Sequence, residues 1–369
     1  MLLFYFVAIY LWYTIDTLKL SKLNFESGFE AMKKMALFIA SLSLLLGACS
    51  NNTIEKKDEV VQKDTKEKSM IPRTAVSKDY YRTVIPLKEQ KVINTVNVKT
   101  NSKLDLAEYE NGLMNIASKQ FDTENYVLQL NQYIPEKTID ELVTKQEAPV
   151  LTNIIEQDYF GKQNSNELSL SGVVIGLAMS SSVSNEEAIS KGTAVAKQLI
   201  EAINKNDKYN KSSITFAIFK QESTSSLKNG TYISSATVQK NETNLGNWDT
   251  IDEKSYSYPS QEFEAAHGED NDKLKDFSKA MKAFSPGDYI PVNAKISYKQ
   301  NKMDKLKMDI VVKYNGKSEL MALSQMAAQS MLEKFPKDAK VQLQIKSENK
   351  IEAVIIKEKN SDKPFVSFL

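Results

Sequence analysis

The chain has 369 residues, 41% of them hydrophobic, enough for one large or two ordinary domains beyond any leader. Lysine and arginine together number 48 against 47 aspartates and glutamates, so no basic excess recommends nucleic acid or an anionic surface as partner. One cysteine and one histidine exclude an internal disulfide and remove most thiol, imidazole and zinc chemistry.

Residues 1–31 open on an apolar, aromatic run that lacks a basic start and passes into a polar stretch. A complete export signal begins behind them at Met32, which makes 1–31 an over-extended reading frame with translation starting at Met32. Lys33 and Lys34 supply the positive region, and an apolar core follows to Leu46. That core is shorter than the ~20 residues a membrane span needs, and its flanks are those of a cleaved signal. Leu46-Gly47-Ala48-Cys49 closes it as a lipobox, so residues 32–48 read as a lipoprotein signal peptide. Cys49 is then the first mature residue, its thiol carrying a diacylglyceryl group. Polar residues follow at once, which excludes a buried core cysteine. The expected partners at this end are the membrane, through lipidated Cys49, and the lipoprotein-processing enzymes. The expected location is the extracellular face of the cell membrane.

Residues 49–78 are rich in Lys, Glu, Asp, Gln and Thr without an aromatic residue, a composition too polar to order itself. They read as a solvated tether. Order begins near Tyr80-Tyr81-Arg82. A partly helical region covers 104–121, followed by NYVLQL and the helix-like KTIDELVTK. The stretch 148–160 (APVLTNIIEQDYF) reads as a helix opened by Pro149.

From Leu170 the pattern sharpens. GVVIGLAMS is a continuous apolar run, as in a buried strand. Ser184 and Glu187 form a capping box, and Ala188, Gly192, Val195, Ala196, Leu199 and Ile203 then recur on one helical face. ITFAIFK is a strand, Lys228-Asn229-Gly230 a turn, and TYISSATV another strand. Residues 241–268 read as a loop or domain boundary, and Ser285-Pro286-Gly287 as a further turn. AKISYK is a strand ahead of the alternating Leu306, Met308, Ile310, Val312 and Tyr314. Asn315-Gly316 turns the chain into a helix carrying Leu320, Leu323, Ala327, Met331 and Phe335, stopped by Pro336. VQLQIK and IEAVIIK follow as strands. The order strand, helix, strand, strand thus occurs twice. The fold class is α+β: two similar units with mixed sheets and helices packed on one face, over 79–265 (with a helical N-terminal part) and 266–369.

Chemistry is sparse. Asn315-Gly316-Lys317-Ser318 ends like a phosphate loop, but Val311 stands where the preceding glycine is required. No dinucleotide fingerprint, zinc helix or paired-cysteine spacing is present, so no cofactor or metal is expected, and His267 in EAAHGEDND reads as a solvated loop histidine. Glu156 and Asp158 beside Tyr159, and Asp249 and Asp252 beside Trp248, are carboxylates flanked by aromatics. They suggest either a ligand groove between the two units or, as the alternative, an extracellular enzyme acting on cell-envelope glycan through paired carboxylates. The ligand of the body is not disclosed, and no catalytic residue is assigned.

YYRTVIPLKEQ (80–90), LTNIIEQDYFG (151–161), SGVVIGLAMSS (171–181), TFAIFKQES (215–223) and NLGNWDTIDEKS (244–255), together with the lipobox, resemble the CamS family of sex pheromone precursor lipoproteins from Gram-positive bacteria. The resemblance implies that the signal is cut ahead of Cys49 and that its last residues are released as a hydrophobic peptide. Plasmid-bearing cells would sense that peptide and begin conjugative transfer. By position the peptide lies within 41–48. The Ala-Phe-Ile-type run of the family's peptide stands earlier, at Ala36-Leu37-Phe38-Ile39-Ala40-Ser41. The resemblance carries over no activity for the folded body, which is expected to be a non-catalytic binding or structural module.

Overall fold

A hairpin whose strands are covered on both faces lies at the centre of the first lobe. Its strands are β6 (Leu151–Asn164) and β7 (Glu167–Met179), paired antiparallel, and every residue from 151 to 160 is buried. The structure is a computed structural model and describes residues 59–64, 67–72, 76–86, 101–146, 149–164, 167–284, 290–313, 316–348 and 350–369. All belong to one compact unit, Asp58–Leu369. The leader with Leu46, Gly47, Ala48 and Cys49, the Ser285-Pro286-Gly287 turn and Asn315 lie outside the described residues. Among the described residues no helix is long and apolar enough to cross a membrane.

β6 corrects the helix expected over 148–160. Leu151, Thr152, Ile154, Ile155, Tyr159 and Phe160 are residues that suit a pleated surface. A strand covered on both faces has no solvent side to impose a period of two, and its mixture of apolar and buried polar residues is then easily matched to a helical period.

Around this hairpin the first sheet adds β3 (Arg82–Thr83), β5 (Tyr126–Leu130), β8 (Ser213–Lys220), β10 (Thr231–Val238) and β11 (Asp249–Thr250), in the order β11-β10-β8-β7-β6-β5-β3. β1 (Glu59–Asp64) and β2 (Glu67–Ile71) pair with each other, and β1 joins β7 through Gln62 and Glu167. This hairpin corrects the tether expected over 49–78. Ile71 is fully buried, and Met70 exchanges backbone hydrogen bonds with Ile85 at 2.8 and 2.9 Å. An edge hairpin recruits a sheet through its main chain, which composition does not register. β4 (Ser102–Lys103) and β9 (Glu222–Ser223) form a separate two-stranded pair.

Three helices pack on the first sheet. α1 (Leu106–Ala117) covers one face, its Tyr109, Leu113, Ile116 and Ala117 joining Tyr159, Val174, Ala217, Phe219 and Tyr232. Two glycines permit this close approach: a Cβ on Gly176 would lie 2.7 Å from the Tyr109 ring, and one on Gly112 2.6 Å from Tyr232. α2 (Glu136–Thr144) and α3 (Asn185–Asn204) cover the other face, where α3 buries the Ala188, Gly192, Val195, Ala196, Leu199 and Ile203 stripe. The Ser184 hydroxyl accepts the Glu187 N–H at 3.1 Å, as its capping position requires. The first sheet is therefore sandwiched, against the expectation of helices on one face only.

The second sheet runs β12 (Glu253–Tyr258), β13 (Val292–Lys299), β14 (Lys302–Val311), β15 (Lys340–Ser347), β16 (Lys350–Lys357) and β17 (Phe365–Phe368), in chain order. α4 (Gln261–Ala266), α5 (Gly268–Phe284) and α6 (Lys317–Lys334) bear its core residues on one face, among them Phe263, Phe277, Leu323 and Met331. β11, β12 and α4 all fall inside 241–268, so this stretch is structure and not a plain loop. The second sheet opens at Glu253, ahead of residue 266. The serines alternating with Tyr256 and Tyr258 disguise β12 as polar linker, although Tyr256 is buried.

The repeat extends further than strand, helix, strand, strand. β5-β6-β7-β8-β10-β11 and β12-β13-β14-β15-β16-β17 share the pairing senses antiparallel, antiparallel, parallel, antiparallel, antiparallel. In both, a helix bridges the parallel pair, as a crossover connection demands, and at least one more lies between the first two strands.

Candidate functional site

Glu156 and Asp158 stand two residues apart on β6 and face the same side. That side meets the loop 131–134, which leaves β5. Glu156 Oε1 accepts the N–H groups of Gln132 and Tyr133 at 3.0 and 2.7 Å, and Oε2 accepts that of Ile134 at 2.9 Å. Asp158 Oδ2 takes the Gln132 N–H as well, at 3.0 Å. Both residues are wholly buried. Burial pushes the Glu156 carboxyl above its ordinary range, opposed by its hydrogen bonds to Asp158 and to the three backbone groups. Two carboxyl groups hydrogen-bond each other only with a proton between them. This pair therefore closes a loop that would otherwise bury unsatisfied donors.

The other residues singled out from sequence go elsewhere. Tyr159 faces the α1 side, where its hydroxyl donates to Gln157 Oε1 at 2.7 Å and its ring stacks on Phe121. Trp248 packs on the core at the α3 side, and its Nε1 donates to Thr193 Oγ1 at 2.8 Å. Asp249 and Asp252 are exposed on and just after β11. Tyr159 and Trp248 thus lie in cores on opposite faces of the sheet, and the six residues do not line one groove. A glycan-cleaving pair needs two carboxyls open to a sugar from either side. Glu156 and Asp158 are closed to solvent, and Asp249 and Asp252 stand exposed on and after β11.

His267 is also displaced from its expectation. It caps α4, stacks on Tyr298 with ring centroids 3.7 Å apart and meets the Tyr256 ring edge-on. Burial pushes its imidazole below the ordinary histidine range, with Asp270 opposing and Lys254 assisting. Its acidic neighbours in sequence gave no sign of the Tyr298 ring, which arrives from β13.

A cleft lies between the lobes, and residues other than these six build it. The second sheet leaves one face without helices, and β14 and β15 present Lys305, Lys307, Lys340 and Gln342 there. Opposite stand α1 and the segment before β3. The space has a volume of about 780 Å³. Ion pairs cross between the lobes: Lys307 to Glu108, Lys295 to Asp105 at 3.7 Å, Lys340 to Asp79 at 3.3 Å, and Lys228 to Glu262 at 3.1 Å. Asp304 is bound to Lys359 and Lys299. Burial pushes its carboxyl up, but the hydrogen bond from Lys359 and the charges of Lys299, Lys359 and Lys305 outweigh this and hold it below its usual range. Such carboxylates are poor proton donors near neutral pH. Lys305 differs from the other lysines on this sheet face: among the described residues it has no hydrogen-bond or ion-pair partner. Burial chiefly pushes its ammonium below the usual lysine range. Lys299 and Lys307 push the same way, against Glu108 and Asp304. Among the described residues no cluster of three or more metal-ligating side chains occurs.

The CamS family model, described as CamS sex pheromone cAM373 precursor, matches residues 88–150 and 143–363. Comparison with curated proteins found no match. Among solved structures, a crystal structure of the sex pheromone staph-cAM373 precursor is 82% identical, over 77% of this chain and 99% of its own, with a TM-score of 0.49. The C-terminal domain of the sex pheromone staph-cAM373 precursor from Staphylococcus aureus is 24% identical, over 71% of this chain and 96% of its own, at 0.61. A sex pheromone precursor from Lactobacillus salivarius subsp. salivarius UCC118 is 21% identical, over 81% and 98%, at 0.72. The last two share the fold.

Proposed function

Since this chain belongs to the CamS family of sex pheromone cAM373 precursors, we propose that it is a precursor lipoprotein with two separate products. Its signal is cut ahead of Cys49, the Cys49 thiol carries the diacylglyceryl group, and two acyl chains give the stable anchoring that one chain does not. The hydrophobic stretch within 41–48 leaves as a peptide that plasmid-bearing cells sense, inducing conjugative transfer. The remaining body stays on the outer face of the membrane. One observation carries the reading: the chain's single cysteine stands directly behind Leu46-Gly47-Ala48 at the end of a short apolar core.

The body acts as a non-catalytic module. Supporting this, the carboxylates beside aromatics are either sealed within the first lobe or exposed at its edge, and Asp304 in the cleft is held below its usual range, the opposite of what a general acid needs. The two products are tested separately. Cys49→Ser should abolish fatty-acid labelling and release the protein to the medium or leave an uncleaved precursor; labelling that persists overturns the anchor. A synthetic peptide of residues 41–48 should induce plasmid-bearing cells, and silence at micromolar dose overturns the pheromone.

A further inference from the structure

At one end of the first sheet several strand ends surround a second cavity, of about 540 Å³. Arg82 comes from β3, Lys162 from the end of β6, Ser169 from the start of β7, Ser212 from just before β8, and Lys240 from just after β10. Three cations thus share a wall with a single carboxylate, that of Glu124. Neither Arg82 nor Lys240 has a hydrogen-bond or ion-pair partner among the described residues.

Arg82 is a notable choice for this place. The chain uses forty-six lysines and only two arginines, Arg73 and Arg82. A guanidinium offers a planar fork of donors that grips two oxygens of one oxyanion, which an ammonium does not. Arg82 is half-buried, so part of its side chain is already packed before any ligand binds. A second, independent observation lies in the same wall. Ser212 is 2% exposed, and its hydroxyl is wholly buried without any hydrogen-bond partner. Buried polar atoms are paired as a rule, and an orphan calls for a ligand or another explanation.

We propose that this cavity binds a phosphate ester of a polyhydroxylated compound, a glycerol or sugar phosphate, either free or as a unit of an anionic polymer. Arg82 holds the phosphate, Lys162 and Lys240 neutralise its remaining charge, and the hydroxyls of Ser169 and Ser212 meet the polyol. The volume supports an ester over a bare ion, since pockets of a few hundred cubic ångströms suit small organic ligands. The proposal is independent of the leader and its peptide, and it stands or falls separately.

The test uses the full-length chain in detergent at low salt, titrated with sn-glycerol 3-phosphate, inorganic phosphate and glycerol by calorimetry. Saturable binding of the glycerol phosphate, tighter than that of inorganic phosphate and absent for glycerol, is expected. Arg82→Ala should weaken it about tenfold or more, Arg82→Lys by less, and added salt should weaken it in the parent chain. Lys240 is exposed, so Lys240→Ala keeps the fold and should weaken binding severalfold even if Arg82→Ala proves unstable. A poly(glycerol phosphate) binding more tightly than the monomer would assign the polymer as source; equal affinity per phosphate would assign the free ester. No saturable binding at millimolar ester, or unchanged binding in Lys240→Ala and in folded Arg82→Ala, overturns the site. Inorganic phosphate binding as tightly as the ester overturns the polyol.

Discussion

The two lobes share a strand plan but finish it differently. In the first, α1 covers the face opposite α2 and α3, and β6 and β7 are buried on both sides. In the second, α4, α5 and α6 cover one face alone, and the strands keep a clean alternation, with Lys305, Lys307 and Gln342 on the open side. The difference shows how far side-chain pattern follows what covers a sheet and not how its strands pair. It also places the lobe contact, because the bare face of the second sheet meets the helix that closes the first.

The largest way to break this comparison is to remove α1's anchor. Tyr109 is fully buried, so Tyr109→Ala should cost about 3–5 kcal/mol in urea unfolding. Gln344→Ala on the bare face of the second sheet should stay within about 0.5 kcal/mol, and similar losses at both positions would deny that the two sheets are covered differently. Next comes the carboxylate pair. Glu156→Ala leaves the Tyr133 and Ile134 N–H groups buried without their acceptor and should cost about 3 kcal/mol. Glu156 binds its proton more tightly folded than unfolded, so between its unfolded and its raised folded pKa the native state holds more protons. Stability therefore falls as pH rises through that window, fully present below it. Glu156→Gln should flatten this slope, measured by urea midpoints at stepped pH.

The contacts between lobes should respond more weakly. Lys307→Gln removes a partly exposed pair with Glu108 and should cost about 0.5 kcal/mol or less, a difference that added salt erases. Smallest of all, Lys305→Met should be neutral or stabilise by up to about 1 kcal/mol, since it removes a half-buried charge without a partner. The lowered folded pKa of Lys305 leaves the unfolded state holding more protons up to the usual lysine range. Stability should thus rise with pH across that window in the parent and less in Lys305→Met.

The same contrast explains what could be read from the sequence. The second lobe was legible because its one-sided sheet leaves a period of two along β14 and β15 and a helical stripe along α6. α3 was legible through Ser184 and its apolar face. β6 was not, because a sandwiched strand has no solvent-facing side to mark its period, and its buried Asn153, Glu156 and Asp158 read as surface positions. β1 and β2 were not, because their attachment is made by backbone. At the candidate site, the spacing of Glu156 and Asp158 along the chain is legible, yet their burial depends on the loop 131–134 and on neighbouring strands. Lys305 and Arg82 gave no local signal in a lysine-rich chain. For Arg82 the rarity of its residue type was the one available clue.

Six strands joined in the same order and sense twice over give the chain one scaffold used twice. A scaffold of this kind with one naked sheet face must either acquire a cover or pair. The present chain does both: α1 shields one such face, and the other leans on the shield.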